Sequence, residues 1–398
     1  MEMLQLLENI KAEEASVQKL FGDEGQGVRH NGRKSPQYMA KLTEAAQLVA
    51  GVISGRRPAY HLREALSTSD FPNLFGDILD RQLLAAYQDW PQTFRNYTHV
   101  AQVADFRTVK RFKVYGADAV LPPVGQQEQY KSDQFQEASP YTYAVSKYGR
   151  VIPLAWETLL NDDLGAFSDI PTRFGRAARR SEEKFATQLF VDANGPHASV
   201  YTVGNKNKVN ATNAGASFTA TNPPLSIPAL QEAMAVLANQ IDEQGEPITI
   251  ESLELVVPPS LEITALNILN GVQLWQDTNN NAGTPDTRLI TTNWMKGRVN
   301  MNVNPYIPIV ASTANGGTSW FLFANPHNGR PALEVGFLRG HETPEVFMKS
   351  PNIVNIGAQV DPMNGDFDTD SIQYKVRHVF GGTVIDPKMT VASNGTGA

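Results

Sequence analysis

Several residues have types and spacings that could bind a metal ion, and His341-Glu342 is one such pair. The pair begins like the zinc-binding helix of a metalloprotease, in which a second histidine follows the first by four positions. Here Pro344 falls where a helical turn is needed, and Glu345 occupies the position of the second histidine. The sequence therefore predicts no zinc site in this stretch.

Asp366, Asp368 and Asp370 have the spacing of the first three ligands of a calcium-binding loop. That loop requires glycine at its sixth position and a bidentate glutamate at its twelfth, where this sequence has Ser371 and Arg377. The pattern excludes an EF-hand, and it favours a solvated acidic turn over a loose surface cation site.

The histidines and the common catalytic motifs give no further candidate. No phosphate-binding loop, dinucleotide-binding glycine motif or nucleophile elbow is present, and the chain has no cysteine. His61, His197 and His327 lack the spacing of a metal site or an acid–base pair, so surface or structural roles are predicted for them. We predict no catalytic, cofactor-binding or metal-binding residue, and a protein that is not an enzyme.

Lys110, Arg111 and Lys113 lie near Tyr115, a combination that can bind nucleic acid. The formal net charge is -7, however, and proteins that neutralise phosphates normally have the opposite balance. The cluster is therefore interpreted as meeting an acidic neighbour, with nucleic acid as the alternative.

Composition indicates a folded protein of more than one lobe, because 398 residues exceed the usual limit of a single core. Trp275, Trp294 and Trp320 lack interleaved basic residues, which favours packing in a core or an interface. No apolar run is long enough to cross a membrane. The first twenty residues are acidic and amphipathic and lack the features of a signal peptide.

Residues 1–105 are predicted to form short helices on a long arm. Apolar residues follow helical spacing in two stripes: Met39, Leu42, Ala46, Val49 and Ile53, then Phe75, Ile78, Leu79 and Leu83.

Residues 107–155 are predicted to form a long two-stranded hairpin that projects from the body. Tyr141, Tyr143 and Val145 alternate as in a half-buried strand, and a polar segment of more than twenty residues separates the two extended stretches. Such a hairpin is marginal alone and needs a neighbour to lie on.

The clearest predicted helix covers residues 169–194. Its apolar stripe consists of Phe174, Ala178, Phe185 and Leu189, and a separate face carries Arg173, Arg176 and Arg180. The arginines are interpreted either as a solvated face that pairs with Glu182 and Glu183, or as a subunit-contact or inner-surface face.

The rest of the chain mixes helices and strands, which predicts an α+β fold. A helix is predicted from the N-cap Ser226 through Leu230, Met234, Leu237 and Ile241, with Gly245 just past its end. A second helix is predicted to contain Leu261, Ile263, Leu266 and Leu269. Strands are predicted at Leu253–Val257, Val299–Val303, Ile307–Ala311, Trp320–Ala324, Leu333–Phe337, Pro344–Lys349 and Ser371–Phe380.

Two stretches resemble the major capsid proteins of tailed bacteriophages with the Hong Kong 97 fold. AMAVLANQIDEQGEPITIESLELVVPPSLEITALNIL has the family's order of helix, strand, proline turn and helix. SWFLFANPHNGRPALEVGFLRGHETPEVF resembles its later segment, with Gly340, Glu342 and Pro344 in the G-x-E-x-P-like stretch. The order of the elements over roughly residues 75–395 carries the resemblance more than any single motif.

The resemblance implies an α+β subunit with four parts. These are an N-terminal helical region and arm (1–105), an extended hairpin loop or E-loop (106–157), a peripheral domain (158–224 and 341–383, with the spine helix 169–194) and an axial domain (225–340 and 384–398). Hexamers and pentamers of this subunit would form an icosahedral head around double-stranded DNA, bound without sequence specificity.

The resemblance also implies partners and a location. We expect a scaffolding protein, a portal and, in some cases, a decoration protein, with no membrane, assembly in the host bacterial cytoplasm, and the virion as destination. About seventy residues precede the matching region, so we expect no cleaved scaffolding domain. Lys131 and Lys147 lie where some relatives crosslink, but no partner or catalytic carboxylate matches, so crosslinking is unsupported. The alternatives are an encapsulin-like nanocompartment shell, another phage structural protein, and an enzyme of unrecognised α+β fold.

Overall fold

The computed structural model describes residues 36–53, 56, 81–89, 91–112, 114–115, 123–124, 126, 136–137, 141–155, 164–209, 221–242, 245–271, 273–277, 288–327, 330–349, 367–368 and 371–397. Several predictions concern residues outside these ranges: the stripe at Phe75, Ile78 and Leu79, the residues His61, Lys113 and Lys131, and the acidic positions Asp366 and Asp370.

Helices and short 3-10 turns alternate with strands along the described residues. The α-helices are α1 (Pro36–Ile53), α2 (81–89), α3 (Leu164–Gln188), α4 (Ile227–Ala238), α5 (Glu262–Asn270) and α6 (Ile307–Val310). The 3-10 turns are Phe94–Asn96, Pro259–Leu261 and Pro387–Met389.

The strands vary in length from two to fourteen residues. They are β1 (His99–Val103), β2 (Val109–Arg111), β3 (Val114–Tyr115), β4 (Gln136–Glu137), β5 (Tyr141–Tyr143), β6 (Ser146–Ala155), β7 (Val191–Asp192), β8 (Gly195–Pro196), β9 (Leu253–Val257), β10 (Gln273–Asp277), β11 (Arg288–Thr292), β12 (Val299–Val303), β13 (Trp320–Ala324), β14 (Leu333–Leu338), β15 (Glu345–Met348), β16 (Ser371–Val384) and β17 (Thr390–Ser393). The mixture confirms the predicted α+β class.

The chain divides into two compact units. The first contains Met1–Pro91, Lys147–Arg180 and His341–Val379, and the second contains Gln92–Ser146, Ser181–Gly340 and Phe380–Ala398. The finer division into arm, hairpin, peripheral and axial domains stays a prediction.

In the first unit, helix α3 packs closely against α2. A β-carbon at Gly175 would lie 2.7 Å from the carbonyl oxygen of Leu83, so the two backbones come into contact there. The buried Arg179 donates a hydrogen bond to the carbonyl of Tyr87, and its guanidinium lies 3.5 Å from the centre of the Tyr87 ring. The helical stripe that the sequence predicted around Phe174 and Ala178 is buried.

In the second unit, one sheet has the order β12-β9-β13-β17 and is buried on both faces. Leu255 and Leu322 pack into a core with α4 and α5, whereas Val256 and Phe321 pack into an aromatic core on the opposite face. Successive residues of a strand point to opposite faces, so burial on both sides explains the unbroken apolar runs of β9 and β13.

The aromatic core of the second unit holds Tyr97 at its centre. The ring of Tyr97 stacks on Phe323 with 5.1 Å between centroids, and Phe190 meets Phe321 edge-on at 4.9 Å. A second sheet of this unit has the strand order β1-β14-β16. Strand β1 is parallel to β14, and β14 is antiparallel to the Phe380–Val384 part of β16.

One predicted strand is wrong: Ile307–Ala311 contains the short helix α6 instead. Tyr306 is the N-cap and Pro308 lies in the first turn, where its missing N–H costs no hydrogen bond. Ile307 is fully buried and Ile309 is 56% exposed, whereas residues two positions apart would share one face in a strand.

The predicted end of the Ser226 helix is also wrong, although its start is confirmed. The Ser226 hydroxyl accepts the N–H of Ala229, but α4 ends at Ala238 and Asn239 is the C-cap. Ile241 is 46% exposed and forms a bridge with Pro247, so it lies outside the helix, and Gly245 belongs to that later turn.

Two further boundaries differ from the sequence predictions. The spine helix runs from Leu164 to Gln188 instead of 169–194, because its last turn tightens to i→i+3 hydrogen bonds before β7 begins. In α5, Ala265, Ile268 and Leu269 form the buried face, which leaves Ile263 73% exposed. Among the described helices, none is both long enough and apolar enough to cross a bilayer.

Candidate functional site at the root of the hairpin

The predicted hairpin is present as two short antiparallel ladders. Strand β2 pairs with β5, with Val109 opposite Tyr143 and Arg111 opposite Tyr141. Further along, β3 pairs with β4. Both ladders are two-stranded sheets, as predicted, but β6, which was predicted to continue the hairpin to residue 155, pairs with β16 instead.

The buried carboxylate of Glu334 connects the hairpin to the body of the second unit. Glu334 lies on β14, and its side chain is 4% exposed. The Nε of Arg111 donates to its Oε1 at 3.0 Å, and the Tyr143 hydroxyl donates to the same oxygen at 2.5 Å. A buried carboxylate is costly unless it is paired and hydrogen-bonded. Arg111 and Tyr143, one from each strand of the hairpin root, supply these contacts to Glu334.

The Tyr143 hydroxyl stays protonated at neutral pH, so its hydrogen bond to Glu334 is kept. Burial and the Glu334 carboxylate both raise the pKa of the Tyr143 hydroxyl, so Tyr143 stays a hydrogen-bond donor. His99, from the neighbouring strand β1, places its Nδ1 3.4 Å from Oε2 of Glu334. The Glu334 carboxylate thus meets groups from β1, β2 and β5.

Two glycines allow the hairpin root to approach the sheet. A β-carbon at Gly336 would lie 2.5 Å from the Tyr143 hydroxyl, and one at Gly381 would overlap the carbonyl of Ala144. Gly336 therefore makes room for the Tyr143 side chain on β14, and Gly381 permits backbone contact between the hairpin end and β16.

An open cleft of about 490 Å³ lies beside this cluster. Its lining includes His99, Arg111, His327 and Glu334. Nowhere in the described part of the chain do three histidine or carboxylate side chains form a group suited to a metal ion. The arrangement is an anchoring cluster in which Arg111, Tyr143 and His99 surround one carboxylate.

A second buried carboxylate holds the chain just before β1. Glu183 of α3 accepts the hydroxyl and the N–H of Thr93 and the N–H of Phe94. Its neighbour Glu182 accepts the Gln92 amide at 2.6 Å. Burial raises the pKa of Glu183, and it outweighs the hydrogen bonds from Thr93 and Phe94, which lower the pKa. One of the two interpretations of the arginine face paired it with Glu182 and Glu183 in solvent; both glutamates are buried instead.

The first unit contains an ion-pair cluster where the zinc-helix pattern was considered. Glu345 on β15 bonds both His341 and Arg377, and Arg377 lies directly opposite it on β16. Partial burial alone would raise the pKa of Glu345, but the bonds to Arg377 and His341 outweigh it and lower the pKa. The pattern that resembled metal chemistry is therefore a cross-strand contact.

The remaining candidates are scattered and mostly exposed. Arg173, Arg176 and Arg180 lie on the exposed side of α3. His197 bonds Ser199 locally, and His327 lines the cleft. Trp320 is buried and donates to the Pro223 carbonyl, Trp294 is 37% exposed, and the Trp275 side chain is outside the described residues. The basic cluster behaves as predicted at Arg111, which meets an acidic neighbour, Glu334.

Comparison with known proteins gives the family. The sequence model described as "Phage capsid protein" matches residues 139–393, which is more than half of the chain. This chain belongs to the phage capsid protein family. It is a structural subunit of the icosahedral phage head and not an enzyme, and its place is the capsid of the virion, as the sequence predicted.

The capsid protein is also similar to solved structures at low identity. A virus-like particle from Pyrococcus furiosus is 12% identical, with 80% of this chain and 99% of that chain covered and a TM-score of 0.42. An encapsulin complex from Synechococcus elongatus is 12% identical, with coverages of 78% and 94% and a TM-score of 0.43. A structure from Gordonia phage Cozz is 12% identical, with coverages of 77% and 88% and a TM-score of 0.41. A search of curated proteins gives no match.

Proposed function

We propose that this capsid protein is the major head protein of a tailed phage with the Hong Kong 97 fold, and that its hairpin braces neighbouring copies. Hexamers and pentamers would close the shell around double-stranded DNA. The N-terminal arm, the E-loop, the peripheral domain with its spine helix and the axial domain are the parts that this fold assigns.

The anchored hairpin root is the observation that supports the bracing role. Arg111 and Tyr143 fix both strands to Glu334, whereas beyond them the ladders have only two strands each. A two-stranded hairpin is marginal in water and needs a further surface. Phe106 and Phe112 flank β2 and are 49% and 54% exposed, which suits contact with a second copy.

The charge balance supports the proposed relation to DNA. The chain carries a formal net charge of -7, so a shell built from it would not hold DNA by phosphate neutralisation. A scaffolding protein, a portal and in some cases a decoration protein are the proposed partners, with assembly in the bacterial cytoplasm.

Deletion of residues 116–138, the hairpin tip, tests the bracing role. The deletion removes β4 with its short ladder but keeps the contacts of Arg111 and Tyr143 with Glu334, so we expect a folded subunit with nearly unchanged urea unfolding. We expect a loss or weakening of shells in sedimentation and electron microscopy. A variant with the same tip residues in scrambled order keeps the length and is the control. Shells of unchanged stability after the deletion would show that the tip does not brace neighbours.

A further inference from the structure

The sheet of the first unit has an outer face that carries cations. There β16 pairs with both β6 and β15, and on β15 Glu345 lies opposite Arg377 and Phe347 lies opposite Lys375. Directly opposite residues lie on the same face of a sheet. Lys375 is exposed, whereas Val376, the next residue of β16, is buried on the other face. The face that carries Lys375 and Arg377 is therefore the outer one.

Charges of one sign are concentrated in these strands. Residues 147–155, 345–349 and 371–379 contain five lysines and arginines against one carboxylate, that of Glu345, which already bonds His341 and Arg377. The five cations, which we call the basic face, are Lys147, Arg150, Lys349, Lys375 and Arg377. Four of them are exposed, and the side chain of Arg377 is 38% exposed. These ranges have a net charge of +4 in a chain of -7, so the rest of the chain carries -11.

Phe347 holds two cations of the basic face in place. The Nζ of Lys375 lies 5.0 Å from the centre of the Phe347 ring, and the guanidinium carbon of Arg377 lies 4.6 Å from it. The ring is itself 36% exposed, so these cation–π contacts order side chains that still reach solvent. Side chains that are ordered beforehand lose less conformational entropy when they bind a partner. The basic face is therefore preorganised in part.

The distribution of charge favours an acidic protein surface as the partner. A protein that binds DNA by neutralising phosphates normally has a net positive charge, whereas these cations belong to a chain that is acidic elsewhere. In a head built from this chain, each copy is surrounded by other copies whose remaining charge is -11. Complementary charges across an interface orient two proteins as they associate. Copies of the chain thus supply the acidic surface that the basic face requires.

We propose that the basic face of one copy binds an acidic surface of a second copy of this chain. The contact is heterologous, because two basic faces would repel each other. It rests on the proposed assembly of the head from copies of the chain, but it does not depend on bracing by the hairpin.

Charge reversal in the full-length chain tests this contact. Arg150→Glu with Lys375→Glu changes two exposed residues, so the subunit should fold as the wild type does. Under conditions in which the wild type forms capsomers or shells, we expect the reversed variant to assemble about tenfold more weakly in sedimentation. Arg150→Lys with Lys375→Arg keeps both charges and should assemble normally. Urea unfolding checks each fold, and Arg150→Gln with Lys375→Gln replaces the reversed variant if that variant unfolds.

The matched control reverses the same two residue types in the second unit. Lys184→Glu with Arg298→Glu alters two exposed side chains and changes the net charge by the same amount. We expect this control to assemble as the wild type does. Equal weakening in the two reversed pairs would be an effect of added negative charge alone and would overturn the proposal. Wild-type assembly by the variant with Arg150→Glu and Lys375→Glu would also overturn it.

Salt and DNA identify the partner. Because salt screens exposed charges, raising NaCl from about 0.05 M to about 0.5 M should weaken assembly of the wild type more steeply than that of the reversed variant. A fluorescent DNA duplex should bind both proteins equally weakly in anisotropy measurements. Loss of DNA binding by the reversed variant, with assembly unchanged, would assign the basic face to DNA and overturn the proposal. A wild type that never assembles would contradict the head and this contact together, whereas normal assembly of the reversed variant contradicts this contact alone.

Discussion

The hydroxyl of Tyr143 donates a 2.5 Å hydrogen bond to the carboxylate of Glu334, although the two residues are 191 positions apart. The contact connects the returning strand of the hairpin to the middle of a sheet. Arg111, from the outgoing strand, reaches the same oxygen. The hairpin root of the capsid protein is therefore held by one buried charge.

Tyr143→Phe removes the hydroxyl and nothing else. A hydrogen bond to a buried charged group contributes about 1.5 to 3 kcal/mol, so we expect the free energy of unfolding to fall by that amount. Urea unfolding followed by circular dichroism measures it. Thr264→Val, which removes a hydroxyl from an exposed residue of α5, is the control and should change stability by less than about 0.5 kcal/mol. Equal effects of the two substitutions would contradict the anchoring role.

Gly381→Ala places a β-carbon against the carbonyl of Ala144, where neither backbone can give way easily. We expect a loss of about 1 to 3 kcal/mol in the free energy of unfolding. Gly317→Ala is the matched control, since its β-carbon would meet only the Ser260 hydroxyl oxygen at an ordinary 3.5 Å. If both variants melt alike, the hairpin end and β16 are not in backbone contact.

Leu189→Asp introduces a carboxylate beside the aromatic core, against which Leu189 packs. The burial of an unpaired charge should cost several kcal/mol, and we expect about 2 to 4 kcal/mol here because Leu189 is partly exposed. Thermal melting and solubility report the effect. Gln188→Asp, at the exposed neighbouring position, should be tolerated. An unchanged melting temperature for Leu189→Asp would mean that this face is solvated.

The Glu345 cluster should make the first unit sensitive to acid. The folded state has the lower pKa, so its stabilising contribution is full above the unfolded value near 4.5 and is lost as pH falls through the folded value. Glu345→Gln should therefore flatten the dependence of unfolding free energy on pH below about 4.5, with an effect of about 1 kcal/mol at neutral pH. Urea unfolding at a series of pH values provides the measurement. If the free energy of unfolding falls equally with pH below about 4.5 in wild type and variant, Glu345 makes no such contribution.

The sequence predicted those elements whose burial follows one regular pattern along the chain. The apolar runs of β9 and β13, the Ser226 cap and the stripe of α3 are each visible as a pattern within a short stretch of sequence. Ile307–Val310 was mistaken for a strand because a short run of β-branched apolar residues does not distinguish a strand from a helical turn.

The anchor at Glu334 had only a partial signal in the sequence. The basic cluster around Arg111 predicted an acidic neighbour, and the acidic partner is 223 positions away, so no spacing rule could name it. Glu183 was considered as a partner of the arginines on a solvated face of the helix, whereas Thr93 and Phe94 supply its hydrogen bonds from a distant segment. Pairings of this kind follow from topology, which local periodicity does not specify.

The most direct test of the proposed assembly is sedimentation and negative-stain electron microscopy of the purified capsid protein. We predict closed particles, or capsomers of five and six subunits, from the chain alone or after addition of a scaffolding protein or phage lysate. A chain that stays monomeric under all of these conditions would contradict the proposed shell.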